Sequence, residues 1–488
     1  MSRVLLYNPP GGMWFRGEAR CEQDISQSTA FTLPPPTTLC FMAAIFRQAG
    51  IEPRIVDCPA EGMDEAAFLD LAADFAPDLA VLNASVLNLK QDMAFVERLR
   101  RRVDCRHAAI VPYLGLLPMD QVDFGLCGAV DLVVTGEMEA VAYDLAELLA
   151  GTRPADQVRG VIAVDREART LRRQADIPLL EDLDSLPLPA RDLVRNELYV
   201  RPDTGAPMAS IVDGRGCPSK CIYCLAPVVN GRRARKRSAK SVAGEMRHCV
   251  EDHGIREFLF RSDTFTINKA WVLELCSLIR DMGLDVSWAA NSRVNTFDAD
   301  LATAMKAAGC YLVEFGIESG SDESLRLMKK GTTTDQARAA VAAARKAGLL
   351  TYGTVLLGFP WEGLEHMRQT SRFVREVGLD FIEVQVVSPF VGTEFHAMAL
   401  AEGLVDGDSV DHDMVRNPAL KGTRHVGRDQ VLAMRRRLLR DFYFRPAYIA
   451  RTLGRLRSGR ELARYARHGF KLIRNLLPGS GDAKRERC

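Results

Sequence analysis

The sequence lacks the marks of several large protein classes. It has no uninterrupted apolar run of roughly 18 residues, the length that a membrane-spanning helix needs, and its first residues suit a strand better than a secretory signal. No Gly-x-Gly-x-x-Gly follows the first predicted strand and no Gly-x4-Gly-Lys-Ser/Thr occurs, so neither a dinucleotide site nor a P-loop is expected. We therefore expect a cytoplasmic protein.

Net charge is also scarce, at +1 over 488 residues, but it is unevenly distributed. Residues 431–488 contain 16 lysines and arginines against four acidic residues, a net charge of +12, so the first 430 residues carry −11. The low overall charge argues against a nucleic-acid partner. Residues 401–488 are predicted to form a basic helical C-terminal region.

Two series of alternating strands and helices precede that region. Residues 1–150 have five buried strand patterns separated by amphipathic helices, which predicts an α/β domain with a Rossmann-like parallel sheet. Residues 151–205 contain a possible small hairpin and a proline-rich stretch, and are predicted to be a linker. Residues 206–400 repeat strand and helix six times, which predicts a partial (β/α)6 barrel with its active site at the carboxyl ends of the strands.

Three of the twelve cysteines lie in one short segment after the first barrel strand. Cys217, Cys221 and Cys224 have the spacing C-x3-C-x2-C. In a reducing compartment such a close set indicates metal or cluster binding rather than disulfides. Three thiolates around one Fe–S cube leave the fourth iron open to a substrate or cofactor. The alternatives are unrelated structural cysteines or an incomplete zinc site, although zinc sites usually show a second paired unit.

This cysteine segment, with Tyr223 before the third cysteine, resembles the radical SAM superfamily. The resemblance covers about residues 205–400. It implies a [4Fe-4S] cluster whose open iron binds S-adenosylmethionine (SAM), and reductive cleavage of SAM to a 5′-deoxyadenosyl radical. Further strand-end motifs resemble those of the family, and the residues that they place near SAM are Tyr223, Asp263, Arg293, Gly316, Glu318 and Gly353.

The first domain resembles that of the cobalamin-dependent radical SAM class, on the segments Leu5–Pro10, Pro34–Pro36 and Gly136–Glu139. The resemblance implies cobalamin between the sheet edge and the barrel, with Asn83 and Ser85 as candidates to line its lower face. The two side chains are equally well explained as strand-end caps. The Asp-x-His-x-x-Gly motif of base-off cobalamin domains is absent, so no histidine ligand is expected.

This class most often transfers a methyl group to an unactivated carbon, here of a small-molecule or lipid-like substrate. The alternatives are a non-methylating cyclase, oxidase or ring-contraction enzyme, and a methylthiotransferase. Cleavage of SAM would need an external electron donor of the flavodoxin or ferredoxin type. The cofactors carry the chemistry, so no catalytic side chain is named. The basic C-terminal helices either contact a membrane peripherally or pack on the acidic remainder of the chain.

Overall fold

The computed structural model describes residues 1–14, 16, 33–85, 88–405, 414, 418–455 and 459–476. Parts of the predicted C-terminal region 401–488 lie outside the described residues. Within these ranges the chain forms a seven-stranded sheet, a six-stranded sheet and a two-stranded hairpin.

The seven-stranded sheet has the order β2-β1-β3-β4-β5-β6-β7, and its first five strands are parallel. The inner strand β3 is buried at every residue, as expected where helices cover both faces of a parallel sheet. Strand order reverses between β1 and β3, and ligands of open α/β sheets bind beyond the carboxyl ends at such a point. The strands are β1 (Arg3–Asn8), β2 (Glu52–Asp57), β3 (Leu79–Asn83), β4 (Arg106–Ile110), β5 (Leu132–Val134), β6 (Val161–Asp165) and β7 (Thr170–Arg173).

Helices cover the two faces of this sheet. One apolar cluster packs α1 and α5 on one face, and a second packs α3 and α4 on the other. The bounds are α1 (Thr37–Gln48), α2 (Cys58–Glu61), α3 (Glu65–Phe75), α4 (Leu89–Arg100) and α5 (Met138–Leu149). The predicted parallel-sheet domain is confirmed.

The sheet continues beyond residue 150, into the segment predicted as a linker. Strands β6 and β7 form an antiparallel hairpin, and β6 pairs with β5 from Leu132↔Ala163 to Val134↔Val161. The hairpin buries Ile162 against the same apolar cluster as α3 and α4. Only the remainder of the linker is extended chain with short turns.

The six-stranded sheet is parallel throughout, in the order β15-β14-β13-β12-β11-β8. Its six strands alternate with helices as the sequence predicted, with β8 and β15 at the two edges, and we refer to this unit as the barrel. Its strands are β8 (Met208–Ile211), β11 (Glu257–Phe260), β12 (Ser287–Ser292), β13 (Cys310–Glu318), β14 (Leu350–Leu357) and β15 (Phe381–Val386), and the two-stranded hairpin after β8 is β9 (Gly214–Arg215) and β10 (Arg235–Lys236).

Helices alternate with these strands and bury the outer face of the barrel. The bounds are α6 (Ala226–Val229), α7 (Ala239–His253), α8 (Lys269–Asp281), α9 (Ala299–Ala307), α10 (Asp322–Leu327), α11 (Thr334–Lys346), α12 (Leu364–Glu376) and α13 (Glu394–Ala401). Side chains cap the N-termini of several of these helices. At α11, for example, Thr333 and Gln336 form a reciprocal capping box.

The C-terminal helices are α14 (Arg428–Tyr443), α15 (Pro446–Leu453) and α16 (Gly459–Leu476). Helix α14 lies against β15, and its Leu438, Leu439 and Phe442 belong to the barrel core. Tyr443 Oη bonds both backbone groups of Ile382, at 2.9 Å from N and 2.7 Å from O. The first C-terminal helix is thus part of the barrel rather than an appendage. Among the described residues no helix is long and apolar enough to cross a bilayer.

Candidate active site

The loop that carries the three cysteines is fixed at its start by the hairpin β9–β10. Gly216 has a φ of +85°, and a β-carbon there would collide with the carbonyl oxygen of Arg233, so the position requires glycine. The next residue, Cys217, donates its N–H to Gly231 O at 3.1 Å. Farther along, Ile222 N bonds Met328 O at 3.1 Å, which ties the loop to the segment after α10.

The three thiols face a common region. Cys217 is buried, and Cys221 and Cys224 are half-buried. Burial raises the pKa of Cys224 to about 11, and the neighbouring charges of Cys221 and Cys217 add to that effect. Among the described residues no group of three ligands is close enough to hold a single metal ion. A cube binds each thiolate to a different iron, so the three thiols need not converge on a single metal ion.

Asp263 lies behind this loop. Its Oδ2 accepts hydrogen bonds from Gly216 N at 2.6 Å and from Asn230 Nδ2 at 3.1 Å. Its neighbour Thr264 places Oγ1 3.8 Å from Cys217 Sγ. These bonds position the cysteine loop, so contact between Asp263 and SAM stays a prediction.

Glu318 ends β13 in an unusual backbone conformation. Its φ is +61°, and the pairing of β13 with β14 shifts register between Gly316 and Glu318. A non-glycine residue in the left-handed region costs free energy and is often found at functional sites. The carboxylate Oε1 accepts a hydrogen bond from Lys330 Nζ at 2.7 Å, and both side chains are buried.

Gly316 makes room for this ion pair. A β-carbon at Gly316 would lie 2.7 Å from Glu318 Oε1 and 2.7 Å from Lys330 Nζ. The neighbours of Gly316 in sequence, Phe315 and Ile317, belong to the apolar cluster between the strands and the surrounding helices. The Gly316–Glu318 motif therefore places one charged pair on the other face of the strand.

Arg293 and Tyr223 connect that pair with the cysteines. Arg293 Nη1 lies 3.6 Å from Cys221 Sγ, and its Nη2 donates to the carbonyl oxygen of Lys330. Tyr223 packs edge to face on Phe359 with ring centroids 5.6 Å apart. Burial, with the nearby charges of Glu318 and Cys221, raises the pKa of Tyr223 well above its usual value. The cysteine loop, which contains Tyr223, is thus flanked by the predicted residues Asp263, Arg293 and Glu318.

Two other findings concern residues near this group. Gly353 faces the helix side of the sheet, where a β-carbon would lie 2.5 Å from Leu379 Cδ1, so its missing side chain serves packing and its contact with SAM stays a prediction. Lys330 was missed from the sequence. Lys330 follows Lys329, whose φ of +53° belongs to the turn after α10, and the sequence carries no signal for this arrangement.

Asn83 and Ser85 lie at the carboxyl end of β3, at the point where strand order reverses. Asn83 Nδ2 donates to Asn8 Oδ1 at 2.8 Å, while Asn83 Oδ1 is buried with no partner among the described residues. Ser85 N donates to Asp92 Oδ2 at 3.0 Å, and Asp92 also pairs with Arg16. Both residues therefore stabilise the local structure, and Asn83 Oδ1 is the polar atom that has no hydrogen-bond partner among the described residues.

Residues 211–374 match the family model described as the radical SAM superfamily. The chain therefore contains a radical SAM domain. It is 29% identical to an uncharacterized methyltransferase of Pyrococcus horikoshii, over 91% of this chain and 94% of that protein. It is 24% identical to the cytidylyl-2-hydroxyethylphosphonate methyltransferase of Streptomyces wedmorensis, over 83% of each chain.

The fold is similar to that of a solved cobalamin-dependent radical SAM enzyme, OxsB, determined with aqua-cobalamin and SAM bound. The TM-score is 0.72 at 14% identity, over 98% of this chain and 72% of that chain. This likeness covers nearly the whole chain and shows the fold.

A radical SAM enzyme uses a [4Fe-4S] cluster and SAM, acts on a substrate and needs a reductant. The cysteine loop supplies three thiols for the cluster, which fits that requirement. The methylthiotransferase alternative would need further cluster cysteines in the first domain. The described cysteines there are free and do not form a ligand group: Cys40, Cys58, Cys105 and Cys127.

Proposed function

We propose that this radical SAM enzyme is a cobalamin-dependent methyltransferase that acts on an unactivated carbon of a small-molecule or lipid-like substrate. One observation carries the proposal. The helix directly after the cysteine loop, α6, packs with Leu225, Val228 and Val229 on the apolar cluster of the first sheet, which includes Tyr113 and Leu114. The cluster loop and the carboxyl edge of the sheet therefore face the same region.

The sheet edge offers suitable chemistry for cobalamin. Asn83 Oδ1 is a buried acceptor without a partner among the described residues, next to the reversal of strand order. The amide groups of cobalamin are hydrogen-bond donors that such an acceptor would bind. The corrin ring would need apolar neighbours in such a site, and Tyr113 and Leu114, after β4, belong to the apolar cluster of the first sheet. We infer that Asn83 and Ser85 line the lower face, with no histidine ligand.

The chain's own residues would bind and orient the reactants. Cys217, Cys221 and Cys224 would hold the cluster, and the open iron would take the amino and carboxylate groups of SAM. The guanidinium of Arg293 would pair with that carboxylate, Glu318 with the ribose hydroxyls, and Tyr223 with the adenine. Bound SAM would supply the substrate radical and bound cobalamin the methyl group. The apolar contact between α6 and the sheet would exclude water.

Both relatives are described as methyltransferases, which supports methyl transfer to a substrate. The first test of the proposal measures whether the chain binds cobalamin. Purified with supplied cobalamin, the chain is expected to retain about one corrin per chain in a base-off form, without a histidine ligand. Asn83→Leu should lower that retention, whereas Asn196→Leu, in the linker, should not. A corrin-free protein under these conditions would contradict the methyltransferase proposal and would leave the radical SAM assignment intact.

The electron donor and the substrate can each be tested. The cysteine loop exposes Pro218 and Lys220, and an external flavodoxin or ferredoxin would reach the cluster there. A comparison of metabolites between a deletion strain and its parent should show a substrate that differs by one methylene. A deletion strain without such a difference would favour a non-methylating reaction.

Membrane contact through the C-terminal helices is a finer proposal. Two arginines of this region bind residues of the barrel. Arg455 Nη1 lies 2.5 Å from Asp380 Oδ1, and Arg451 Nη2 lies 2.8 Å from Leu379 O. These contacts support the basic cap. The apolar side chains that stay exposed support lipid contact, and they are Phe444, Ile449, Leu453, Leu462 and Phe470.

Flotation with anionic liposomes distinguishes lipid contact from a purely structural role of these helices as a cap on the barrel. A chain cut near Gln430 would lose α14 and with it part of the barrel core, so the test uses the full chain with Leu462→Gln and Phe470→Gln together. Salt-sensitive flotation that these changes abolish would support lipid contact. Failure of the unchanged protein to float would leave the cap as the role of these helices.

A further inference from the structure

An arginine two residues before the first cluster cysteine is held by the first domain. Arg215, in β9, lies between two carboxylates at the start of α5. Its Nη1 is 2.5 Å from Glu137 Oε1, and its Nη2 is 2.5 Å from Glu139 Oε1. The side chains of Arg215, Glu137 and Glu139 are 12%, 4% and 1% exposed.

The second strand of the same hairpin is attached to the same glutamate. Arg235, paired with Arg215 in the register of β9 and β10, places Nη1 3.1 Å from Glu137 Oε2. Glu137 Oε2 also accepts the N–H of Leu180 at 2.7 Å. Both strands that flank the cysteine loop are therefore anchored to one short segment of the first domain, Glu137–Glu139.

This anchor complements the one inside the barrel. Asp263 holds Gly216 N, on the barrel side of the loop. The pair Glu137 and Glu139 holds Arg215 on the other side. Since breaking a buried ion pair leaves an uncompensated charge, the contacts of Arg215 with Glu137 and Glu139 resist displacement. The cysteine loop is thus positioned jointly by two domains.

We propose that Glu137 and Glu139 are positioning residues for the [4Fe-4S] cluster, through Arg215. The first domain sets the position of Cys217 relative to the barrel, and it balances the positive charge of the arginine beside the cluster. The inference rests on the cluster of the radical SAM domain and does not depend on methyl transfer. It gives the Gly136–Glu139 segment a role besides any contact with cobalamin.

The test replaces Glu139 by Gln in the reconstituted full chain. Loss of one negative charge leaves Arg215 less well compensated, and added positive charge near a cluster favours its reduced state. The cluster midpoint potential is expected to shift to a more positive value, and iron release to a chelator is expected to be severalfold faster. Glu139→Asp, which retains the charge, should restore the potential toward that of the unchanged protein.

Asp144→Asn is the matched control. Asp144 lies on the same helix, is buried, and pairs with Arg159 at 2.7 Å within the first domain. This change should lower the thermal midpoint but leave the potential and the rate of iron release unaltered. If Glu139→Gln behaves as Asp144→Asn does in both measurements, the inference is wrong.

Arg215→Lys provides a second variant if Glu139→Gln does not fold. A lysine keeps the charge but cannot bridge two carboxylates as a guanidinium does, so iron release should again be faster. Unchanged iron release in a folded Arg215→Lys variant would equally overturn the inference. Absence of iron from the unchanged protein would instead contradict the cluster assignment.

Discussion

Glu318 and Lys330 form an ion pair inside the barrel, with Oε1 and Nζ 2.7 Å apart and the two side chains only 9% and 6% exposed. The pair links the strained end of β13 with the turn that follows α10. Because Arg293 also bonds the carbonyl oxygen of Lys330, one lysine orders both a carboxylate and a guanidinium beside the cysteine loop. We expect Lys330 to be essential for the SAM site.

Lys330→Met should therefore impair both stability and SAM binding. Removing one partner of a buried ion pair costs about 3–5 kcal/mol. SAM affinity, measured by equilibrium dialysis on reconstituted protein, is expected to fall markedly while iron content is kept. Lys329→Met is the control, since Lys329 is exposed and pairs with the exposed Glu394 at 2.6 Å. Equal SAM affinity in the two variants would show that the buried pair does not order the site.

Gly316→Ala should disturb the same pair by crowding. The added methyl group would lie 2.7 Å from each partner atom, which forces one of them to move. SAM binding should weaken and the thermal midpoint should fall. Gly244→Ala, in α7 with no atom within 4 Å of the new methyl group, should instead raise stability by about 0.5–1 kcal/mol. Normal SAM affinity in Gly316→Ala would refute the proposed role of this glycine.

Glu362 should make stability depend on pH. It is fully buried, and burial raises the pKa of its carboxyl to about 7 although Gly358 N and Phe359 N donate to it. A raised pKa in the folded state means that its stabilising contribution is present at low pH and is lost as pH rises through about 7. Relative to Glu362→Gln, the unchanged protein should lose on the order of 3 kcal/mol of unfolding free energy between about pH 4.5 and pH 7.5.

Thermal unfolding of both proteins across that range measures the effect. The midpoint of the Gln variant should change less with pH than that of the unchanged protein. Parallel curves for the two proteins would show that Glu362 does not titrate in this window.

Periodicity located the strands and helices of both domains because burial alternates so regularly in α/β folds. The sequence also predicted the residues around the cysteine loop, through strand-end motifs. It missed Lys330, since a lysine in a turn looks like any solvated residue until β13 brings Glu318 to it. It did not predict that the Asp263 carboxylate bonds the backbone of Gly216, and its placement of Asp263 near SAM stays a prediction. It ended the first domain at residue 150, because pairing between β5 and β6 leaves no local signal.

Reductive cleavage of SAM tests the central claim most directly. Anaerobically reconstituted protein should bind about four irons per chain through its cluster. With SAM and dithionite it should release 5′-deoxyadenosine. Cys217→Ala, Cys221→Ala and Cys224→Ala should each abolish that release, while Cys276→Ala and Cys310→Ala, both buried in the barrel core, should retain the cluster. Full iron content and 5′-deoxyadenosine release in the triple variant of Cys217, Cys221 and Cys224 would contradict the assignment.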